Sequence, residues 1–311
     1  MIQTINDTER FMKEGNEAIY IYGAGNCGKW TGRYMQKCGI DFEAYIDKAA
    51  DRNCSLYGKR VIHPRSLTLQ AGKSNVKVIA ANAKPWDTIS DLHYYADSCN
   101  ILCLIPVYGN VEGPQTVNVN KMLGYFRRQM ITTDIPTIIA NSCAAAVIYS
   151  SLGLPRLSPT INLNIEPEDF IKICKNPRKY LSEDIKFDHW TISGGGGVVP
   201  VGKIKDVEII FSHASDADEA VNTWNRRRQR INWDKLIYIM EDDNYSRILK
   251  ATDKVEKEFN ALPEKHLRII CKRYSIDLER ANALYIQDNY FYRHDFVMEN
   301  WFDLVEWINR E

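Results

Sequence analysis

Three glycines near the start of the chain are spaced so that backbone amides could hold a phosphate group. Gly23, Gly25 and Gly28 form the pattern GxGxxG, with an apolar, strand-like run before it and a helix-like segment after it. Gly23 permits a sharp turn, Gly25 lets amides approach an anion closely, and Gly28 lets the helix lie against the strand. Asn26 lies in the turn where the helix starts, and unpaired N–H groups there face an anion. Asp47 ends the next strand-like run about 20 residues on, where a partner for a ribose hydroxyl is expected.

This spacing predicts a nucleotide-binding turn, since the strand, the helix and the carboxylate all stand where such a site needs them. The alternative is a tight strand-to-helix turn that holds no ligand, with Asp47 capping the next segment. The turn alone does not identify the ligand, so a nucleotide-sugar, NAD and S-adenosylmethionine all stay open as cofactors.

Polar side chains in the second half of the chain follow strand-like runs. Ligands of parallel sheets bind at the carboxyl ends of strands, so these positions are candidates for substrate binding and catalysis. Asn141 and Ser142 could offer an amide and a hydroxyl to a phosphate or sugar, although both residue types also serve as helix caps. Cys143 near a helix start could be a nucleophile, but the three alanines after it favour simple packing. His213 could act as a general base toward a sugar hydroxyl, because its ordinary pKa is about 6.5, or it could satisfy a local backbone group.

Charged residues add two further hypotheses. The run Glu241-Asp242-Asp243 ends a strand-like segment, and we take Asp242 as a second catalytic candidate. Carboxylates in such a position can hold a divalent ion with a sugar nucleotide, but acidic turns are common, and we predict no metal ligands.

Arg226 and Arg230 lie one turn apart on a predicted helix, where they could bind a pyrophosphate as substrate-binding residues. The alternative is structural, because acidic residues begin this helix and basic residues end it, which complements the helix dipole.

The elements that must position these residues alternate between strand and helix patterns. Such alternation predicts parallel sheets with helices on both faces. Turn-forming residues concentrate at 107–120 and mark a domain boundary. We therefore predict an α/β protein of two domains: residues 1–115 form a Rossmann-like nucleotide-binding domain with a parallel sheet, and residues 116–311 form a second α/β domain with a mixed or parallel sheet. Within the second domain we predict a strand at 158–165 and a break at the glycine run 194–197.

Composition narrows the class of protein. The 40 basic and 40 acidic side chains cancel, which argues against a nucleic-acid binder that relies on a positive surface. No segment approaches the ~20 apolar residues of a membrane helix, and the first residues are polar and lack a signal core. The eight cysteines form no CxxC pair, as expected for reduced thiols. We therefore expect a cytoplasmic protein whose partner is a small nucleotide or sugar ligand; the sequence leaves a homo-oligomer open.

Two stretches resemble known families. Residues 20–67, with the order glycine turn, strand ending in Ile-Asp, and strand Gly-Lys-x-Val-Ile, resemble small Rossmann-like domains that precede bacterial sugar-nucleotide enzymes and sugar acyltransferases. The second half contains the motifs Ser-Pro-Thr-Ile-Asn, Glu-Asp-Phe and Trp-Asn-Arg-Arg-x-x-Arg-Ile-Asn-Trp-Asp. With these motifs it resembles a family of unknown function found among exopolysaccharide-biosynthesis proteins. The resemblance implies work in capsule or exopolysaccharide synthesis and does not supply a reaction.

Together these observations favour a sugar-modifying transferase that binds a nucleotide or nucleotide-sugar, with His213 as the first candidate base. One alternative is an NAD-dependent oxidoreductase acting on a sugar, although the sequence contains no Tyr-x-x-x-Lys pair of the short-chain dehydrogenase kind. Another is a non-catalytic binding or scaffold protein of the same pathway.

Overall fold

The structure is a computed structural model, and contacts divide the chain into two compact units. Unit 1 comprises Met1–Thr132, Ser151–Gly153 and Val305–Glu311, and unit 2 comprises Thr133–Ser150 and Leu154–Leu304. The residues that the structure describes are 4–50, 54–67, 75–82, 90, 92, 99–105, 115–193, 196–243, 250–272, 283–287 and 303–310.

The helices of the described chain are short, as is usual for α/β proteins. In chain order they are α1 (Ile5–Lys13), α2 (Asn26–Lys37), α3 (Val119–Met130), α4 (Ala144–Ser151), α5 (Pro167–Lys175), α6 (Pro177–Leu181), α7 (Ala217–Arg227), α8 (Asp253–Asn260) and α9 (Leu304–Asn309). Short 3-10 helices cover Pro64–Ser66 and Arg228–Arg230.

Unit 1 is built on sheet A, whose described strands run parallel except for one short hairpin strand. The strands are β1 (Ala18–Tyr22), β2 (Ala44–Ile46), β3 (Ser55–Leu56), β4 (Lys59–Ile62), β5 (Val76–Ala80), β6 (Cys99–Ile105) and β7 (Gln115–Asn118). They lie in the order β3-β4-β2-β1-β5-β6-β7, and β3 pairs antiparallel with β4. The chain thus builds outward from β1 to one side and then returns to place β5 on the other side of β1. This reversal is a topological switch point, the place where open α/β sheets bind ligands.

Helix α3 belongs to unit 1 because it packs on α2. Tyr34 of α2 stacks on Phe126 of α3, with ring centroids 4.3 Å apart. The boundary predicted at residue 115 lies before α3, whereas contacts assign residues through Thr132 to unit 1. Part of the turn-rich segment that suggested this boundary, residues 106–114, lies outside the described residues.

Unit 2 combines a parallel sheet with an antiparallel one. Sheet B has the order β14-β13-β12-β8, and all of its pairings are parallel. Sheet C has the order β11-β10-β9 and is antiparallel. The strands are β8 (Thr137–Ala140), β9 (Lys186–Ile192), β10 (Val198–Ile204), β11 (Val207–Ile210), β12 (Leu236–Asp243), β13 (Lys265–Lys272) and β14 (Ala283–Gln287). The predicted α/β fold class is confirmed in both units.

One core joins the helices of unit 2 to both of its sheets. Trp224 of α7, Phe170 of α5 and Phe259 of α8 are fully buried in a cluster with Tyr238 and Met240 of β12. Burial of such large side chains is the main source of stability in a layered domain. The strand ends described below are therefore held by a packed interior.

Two local expectations for unit 2 have different outcomes. The strand predicted at 158–165 is wrong: this segment has only an isolated bridge between Asn164 and Ile210. The Ser158 hydroxyl accepts a hydrogen bond from the Thr160 N–H (3.1 Å), and Asn162 has a φ of +61°, so the backbone turns repeatedly.

The break at the glycine run is confirmed at its described ends, where the Ser193 N–H donates to the Gly197 carbonyl (2.8 Å) between β9 and β10. Residues 194–195 lie outside the described residues.

Across the described ranges, no helix has both the length and the apolar character that a membrane crossing requires.

Candidate functional site

The glycine turn of unit 1 lies at the switch point between β1 and β5, and backbone surrounds its inner side. Gly23 has a φ of +109°, a conformation that favours glycine. Its N–H donates to the Ile46 carbonyl at 2.7 Å, and a Cβ on Gly23 would lie 2.5 Å from the Ala81 carbonyl oxygen. The ends of β1, β2 and β5 therefore meet at this residue.

Gly28 and Gly25 have opposite surroundings. A Cβ on Gly28 would lie 1.8 Å from the Gly23 carbonyl oxygen, so only glycine lets α2 begin this close to β1. Apart from its chain neighbours, no residue that the structure describes has a heavy atom within 4 Å of a Cβ placed on Gly25, and Gly25 has an ordinary φ of −76°. The turn is thus closed toward the sheet and open at Gly25. Gly25 is also the N-cap of α2, with no side chain of its own to cap the helix, and Asn26 is the first helical residue.

Asp47 follows β2 and holds the glycine turn in place. Its Oδ2 accepts a hydrogen bond from the Ala24 N–H at 2.9 Å, and its Oδ1 accepts one from the Ala49 N–H at 2.9 Å. A carboxylate has about four lone-pair sites, so two acceptor positions are left after these bonds. The structure therefore brings together all five residues that the sequence assigned to the cofactor: Gly23, Gly25, Asn26, Gly28 and Asp47.

A second group of residues, the strand-end cluster, lies at the carboxyl edge of sheet B and consists of Asn141, Cys143, His213 and Glu241. Asn141 follows β8 and is fully buried. Its side-chain Nδ2 donates to the Glu241 carbonyl at 2.9 Å, and its Oδ1 accepts from the Glu241 N–H at 2.7 Å. Asn141 thus fastens the end of β8 to β12 and does not face solvent.

Ser142 is also buried and has a local role. Its Oγ accepts a hydrogen bond from the Ala144 N–H at 3.2 Å, where α4 begins. This is the capping alternative that the sequence offered for both Asn141 and Ser142. Their proposed role in substrate binding stays a prediction, and their side-chain positions are explained without it.

Cys143 and His213 form the contact that the sequence did not single out. The Cys143 Sγ lies 3.3 Å from the His213 Nε2, although 70 residues separate them in the chain. Cys143 is half-buried and His213 is exposed. Burial, and after it the negative charge of Glu241, raise the pKa of the Cys143 thiol to about 11. At neutral pH the thiol therefore keeps its proton and needs a base to lose it.

Asp242, the second catalytic candidate from the sequence, is tied into the structure away from this pair. Its Oδ1 accepts from the Ala251 N–H at 3.1 Å, and its Oδ2 lies 3.9 Å from Nε of the buried Arg268. Successive side chains of a strand point to opposite faces. This explains why the charge of Glu241, and not that of Asp242, raises the pKa of Cys143. Within the described ranges, no group of three or more metal-ligating side chains is found.

The two predicted phosphate-gripping arginines are not brought together with His213. Helix α7 begins four residues after His213, and at 1.5 Å per residue its start at Ala217 lies about 14 Å along the axis from Arg226. Arg230 lies two residues before Asn232, whose N–H donates to Thr137 Oγ1 at the start of β8 (2.8 Å). Arg230 therefore lies near the amino end of β8, whereas the strand-end cluster lies at its carboxyl end.

These arginines belong to a group of like charges. Burial, followed by the charges of Arg156, Arg226 and Arg230, lowers the pKa of the half-buried Arg227. The Arg227 guanidinium also donates to the Ile161 carbonyl at 3.0 Å. A bound anion would relieve the repulsion between these arginines. The role of Arg226 and Arg230 in binding phosphate stays a prediction.

The close approach at Gly28 predicts a specific loss of stability. We expect Gly28→Ala to lower the free energy of unfolding by about 2 kcal/mol or more, because the new Cβ would overlap a backbone carbonyl that cannot move freely. Gly25→Ala is the matched control and is expected to cost no more than about 1 kcal/mol, since its Cβ enters open space and only the N-cap preference for glycine over alanine is lost. Urea unfolding followed by circular dichroism measures both, and equal stabilities would contradict the geometry of the turn.

The Asn141 side chain is expected to matter for stability in unit 2. Asn141→Ala leaves the Glu241 N–H and carbonyl without their buried partners, so we expect a loss of about 2–4 kcal/mol. Asn222→Ala, at an exposed position of α7, is the control and is expected to stay within about 0.5 kcal/mol of the parent. Thermal and urea unfolding of both variants test this. Similar free energies of unfolding for the two would argue against the hydrogen bonds between Asn141 and the Glu241 backbone.

The raised pKa of Cys143 predicts its reactivity as a function of pH. Alkylation requires the thiolate, so the rate at Cys143 should still be rising at pH 10, where an unperturbed thiol is already mostly ionised. Glu241→Gln removes a negative charge and should shift this rise to lower pH. Iodoacetamide labelling followed by peptide mass spectrometry gives the rate at each cysteine. A plateau for Cys143 below pH 9 would contradict the expectation.

Similarity to known sequences identifies the family of the second half of the chain. Residues 115–309 match the family described as "Domain of unknown function (DUF1919)". An uncharacterized protein of Haemophilus influenzae is 32% identical over 152 residues, which are 48% of this chain and 69% of that protein. Neither description includes an activity.

Two solved structures share a weaker similarity. They are described as the GsuK channel and the GsuK channel bound to NAD, each 14% identical, with TM-scores of 0.29 and 0.28. Each match covers 89% of this chain and 50% of the channel chain, so this protein spans about half of their length. At these TM-scores the similarity supports no inference about the ligand of this chain. The match over residues 115–309, by contrast, covers more than half of the chain, and the protein therefore belongs to the DUF1919 family.

Proposed function

We propose that this protein is a group transferase of bacterial surface-polysaccharide synthesis that binds a nucleotide or nucleotide-sugar at the glycine turn of unit 1. The observation that carries the proposal is the open side of that turn: among the described residues other than its chain neighbours, none has a heavy atom within 4 Å of the Cβ position of Gly25. The polysaccharide pathway is supported by the resemblance of the second half of the sequence, and the transfer reaction by the strand-end cluster.

A phosphate at the open turn would meet favourable groups. Gly25 is the N-cap of the 12-residue helix α2, and the first N–H groups of a helix point toward an anion placed there. The helix dipole adds a partial positive charge at the same end. The turn also lies at the switch point of sheet A, between the carboxyl ends of β1 and β5. Each of these features favours a phosphoryl group over a neutral ligand.

Asp47 would complete nucleotide recognition. Its carboxylate is already oriented by the N–H groups of Ala24 and Ala49, and its two remaining acceptor positions suit the hydroxyls of a ribose. A carboxylate next to the phosphate position would also disfavour a second phosphate on the ribose, because the like charges repel.

The transfer step is assigned to unit 2, with His213 as the base. His213 is exposed at the carboxyl edge of sheet B, so a sugar hydroxyl can reach its ring. A neutral imidazole in this position can accept a hydroxyl proton. Asp242 is held by Ala251 and Arg268, so we give it a supporting role in this edge of the sheet.

Substitution of Gly25 tests the nucleotide part. Gly25→Glu places a carboxylate where the phosphate would lie, and the fold should tolerate it because φ is −76° and the space is open. A negative side chain at a helix start should even stabilise the protein slightly. We expect at least one of UDP-glucose, NAD and S-adenosylmethionine to bind the parent protein. For UDP-glucose or NAD, which carry phosphates, the affinity for Gly25→Glu should fall at least about tenfold below that for Gly25→Gln. Isothermal titration calorimetry measures each affinity.

Gly25→Gln is the matched control, since it has the same size and no charge. Failure of all three probes to bind the parent would contradict the proposal, as would equal affinities of the Glu and Gln variants. Binding of NAD alone, with reduction of the cofactor by a sugar, would establish the oxidoreductase instead of the transferase.

A further inference from the structure

We propose that Cys143 and His213 are a nucleophile and its base, and that Cys143 carries an acyl group as a thioester between an ester or thioester donor and a sugar hydroxyl. This inference rests on the transferase part of the proposed function and narrows it to acyl transfer. The contact that carries it joins the Cys143 Sγ to the His213 Nε2 across 3.3 Å.

The backbone around Cys143 is fixed, as a nucleophile requires. Asn141, two residues before it, is bonded to both backbone groups of Glu241. The Asn141 carbonyl accepts from the Ile165 N–H at 2.9 Å, and the Cys143 carbonyl accepts from the Ala146 N–H at 3.0 Å at the start of α4. The sulfur therefore has a defined position at the carboxyl ends of β8 and β12, where parallel sheets bind their ligands.

The solvent exposure of the two side chains differs in the way a reacting pair needs. Cys143 is half-buried, which protects the sulfur from bulk water. His213 is exposed, so a donor or an acceptor sugar can approach the pair from its side. A cysteine that served packing alone would not need an exposed imidazole at hydrogen-bond distance from its sulfur.

Charge determines how the proton must move. Burial and the charge of Glu241 hold the pKa of Cys143 well above neutrality, so a resting thiolate is disfavoured. The thiol must then lose its proton as it attacks, as a serine hydroxyl does, and His213 is placed to accept it.

The reaction balances without any oxidant or metal. The Cys143 sulfur attacks the carbonyl carbon of the donor while His213 takes the thiol proton. The bond between that carbon and the leaving oxygen or sulfur breaks, and His213 returns the proton to the leaving group. A sugar hydroxyl then attacks the thioester carbon while His213 takes the hydroxyl proton. The carbon–sulfur bond breaks, and His213 returns that proton to the sulfur, which restores the Cys143 thiol.

The groups at this edge favour acyl over glycosyl transfer. A thiol is a strong nucleophile toward a carbonyl carbon, whereas enzymes that hydrolyse glycosidic bonds use a pair of carboxylates that flank the bond. Of the two acidic residues described here, Asp242 is engaged by the Ala251 N–H and lies near Arg268. Glu241 is buried and lies next to the thiol.

An activated ester tests the pair in the full-length protein. The probe is p-nitrophenyl acetate at pH 7.5, with release of p-nitrophenolate followed by absorbance and the acetylated cysteine identified by peptide mass spectrometry. We expect Cys143 to be acetylated faster than the exposed Cys38 and Cys54, which serve as internal references. His213→Asn should slow acetylation of Cys143 at least tenfold and leave Cys38 and Cys54 unchanged.

His189→Asn is the matched control, because His189 is also exposed but pairs with Asp188. It should leave the rate at Cys143 unchanged, and the melting temperatures of both histidine variants should match the parent. Acetylation of Cys143 at or below the rate of the exposed cysteines would overturn the inference, as would an unchanged rate in His213→Asn. The probe carries no nucleotide, so its result is independent of nucleotide binding at the glycine turn, and each proposal can fail without the other.

Discussion

The contact on which unit 1 depends is the close approach of helix α2 to the carbonyl of Gly23. Only glycine at position 28 allows it, because a Cβ there would lie 1.8 Å from that oxygen. The approach determines where the helix begins and therefore where its first N–H groups point. The Asp47 carboxylate and the Ile46 carbonyl hold the other side of the turn through Ala24 and Gly23. The open face at Gly25 is what remains once backbone has filled the rest.

In unit 2, too, hydrogen bonds at the carboxyl ends of parallel strands position the residues of the candidate site. The parallel strands β8 and β12 end at one edge of sheet B, and the buried amide of Asn141 fastens them to each other. Cys143 follows directly, and the turn after β11 brings His213 within 3.3 Å of its sulfur. In both units a single polar side chain orders the carboxyl end of a parallel sheet. Candidate chemistry collects there because side chains and helix starts meet at that edge.

The sequence predicted what depends on local spacing and missed what depends on distant pairing. The glycine turn, the α/β class and the break at the glycine run follow from residues close in the chain. The strand expected at 158–165 does not form, because hydroxyl side chains and a left-handed Asn162 turn the backbone. The partner of Asn141 lies 100 residues away and that of Cys143 lies 70 residues away, so spacing could not reveal either. The one available signal was that all of these residues directly follow strand-like runs.

In the proposed function, backbone amides at the glycine turn hold a phosphoryl group. Nuclear magnetic resonance of the 15N-labelled, full-length protein during titration with UDP-glucose and NAD tests this interaction. If the amides hold the ligand, the signals of Ala24, Gly25 and Asn26 shift saturably, with smaller effects elsewhere in the same spectrum. Saturable binding that leaves these three signals unchanged would rule out this site and would place the ligand elsewhere.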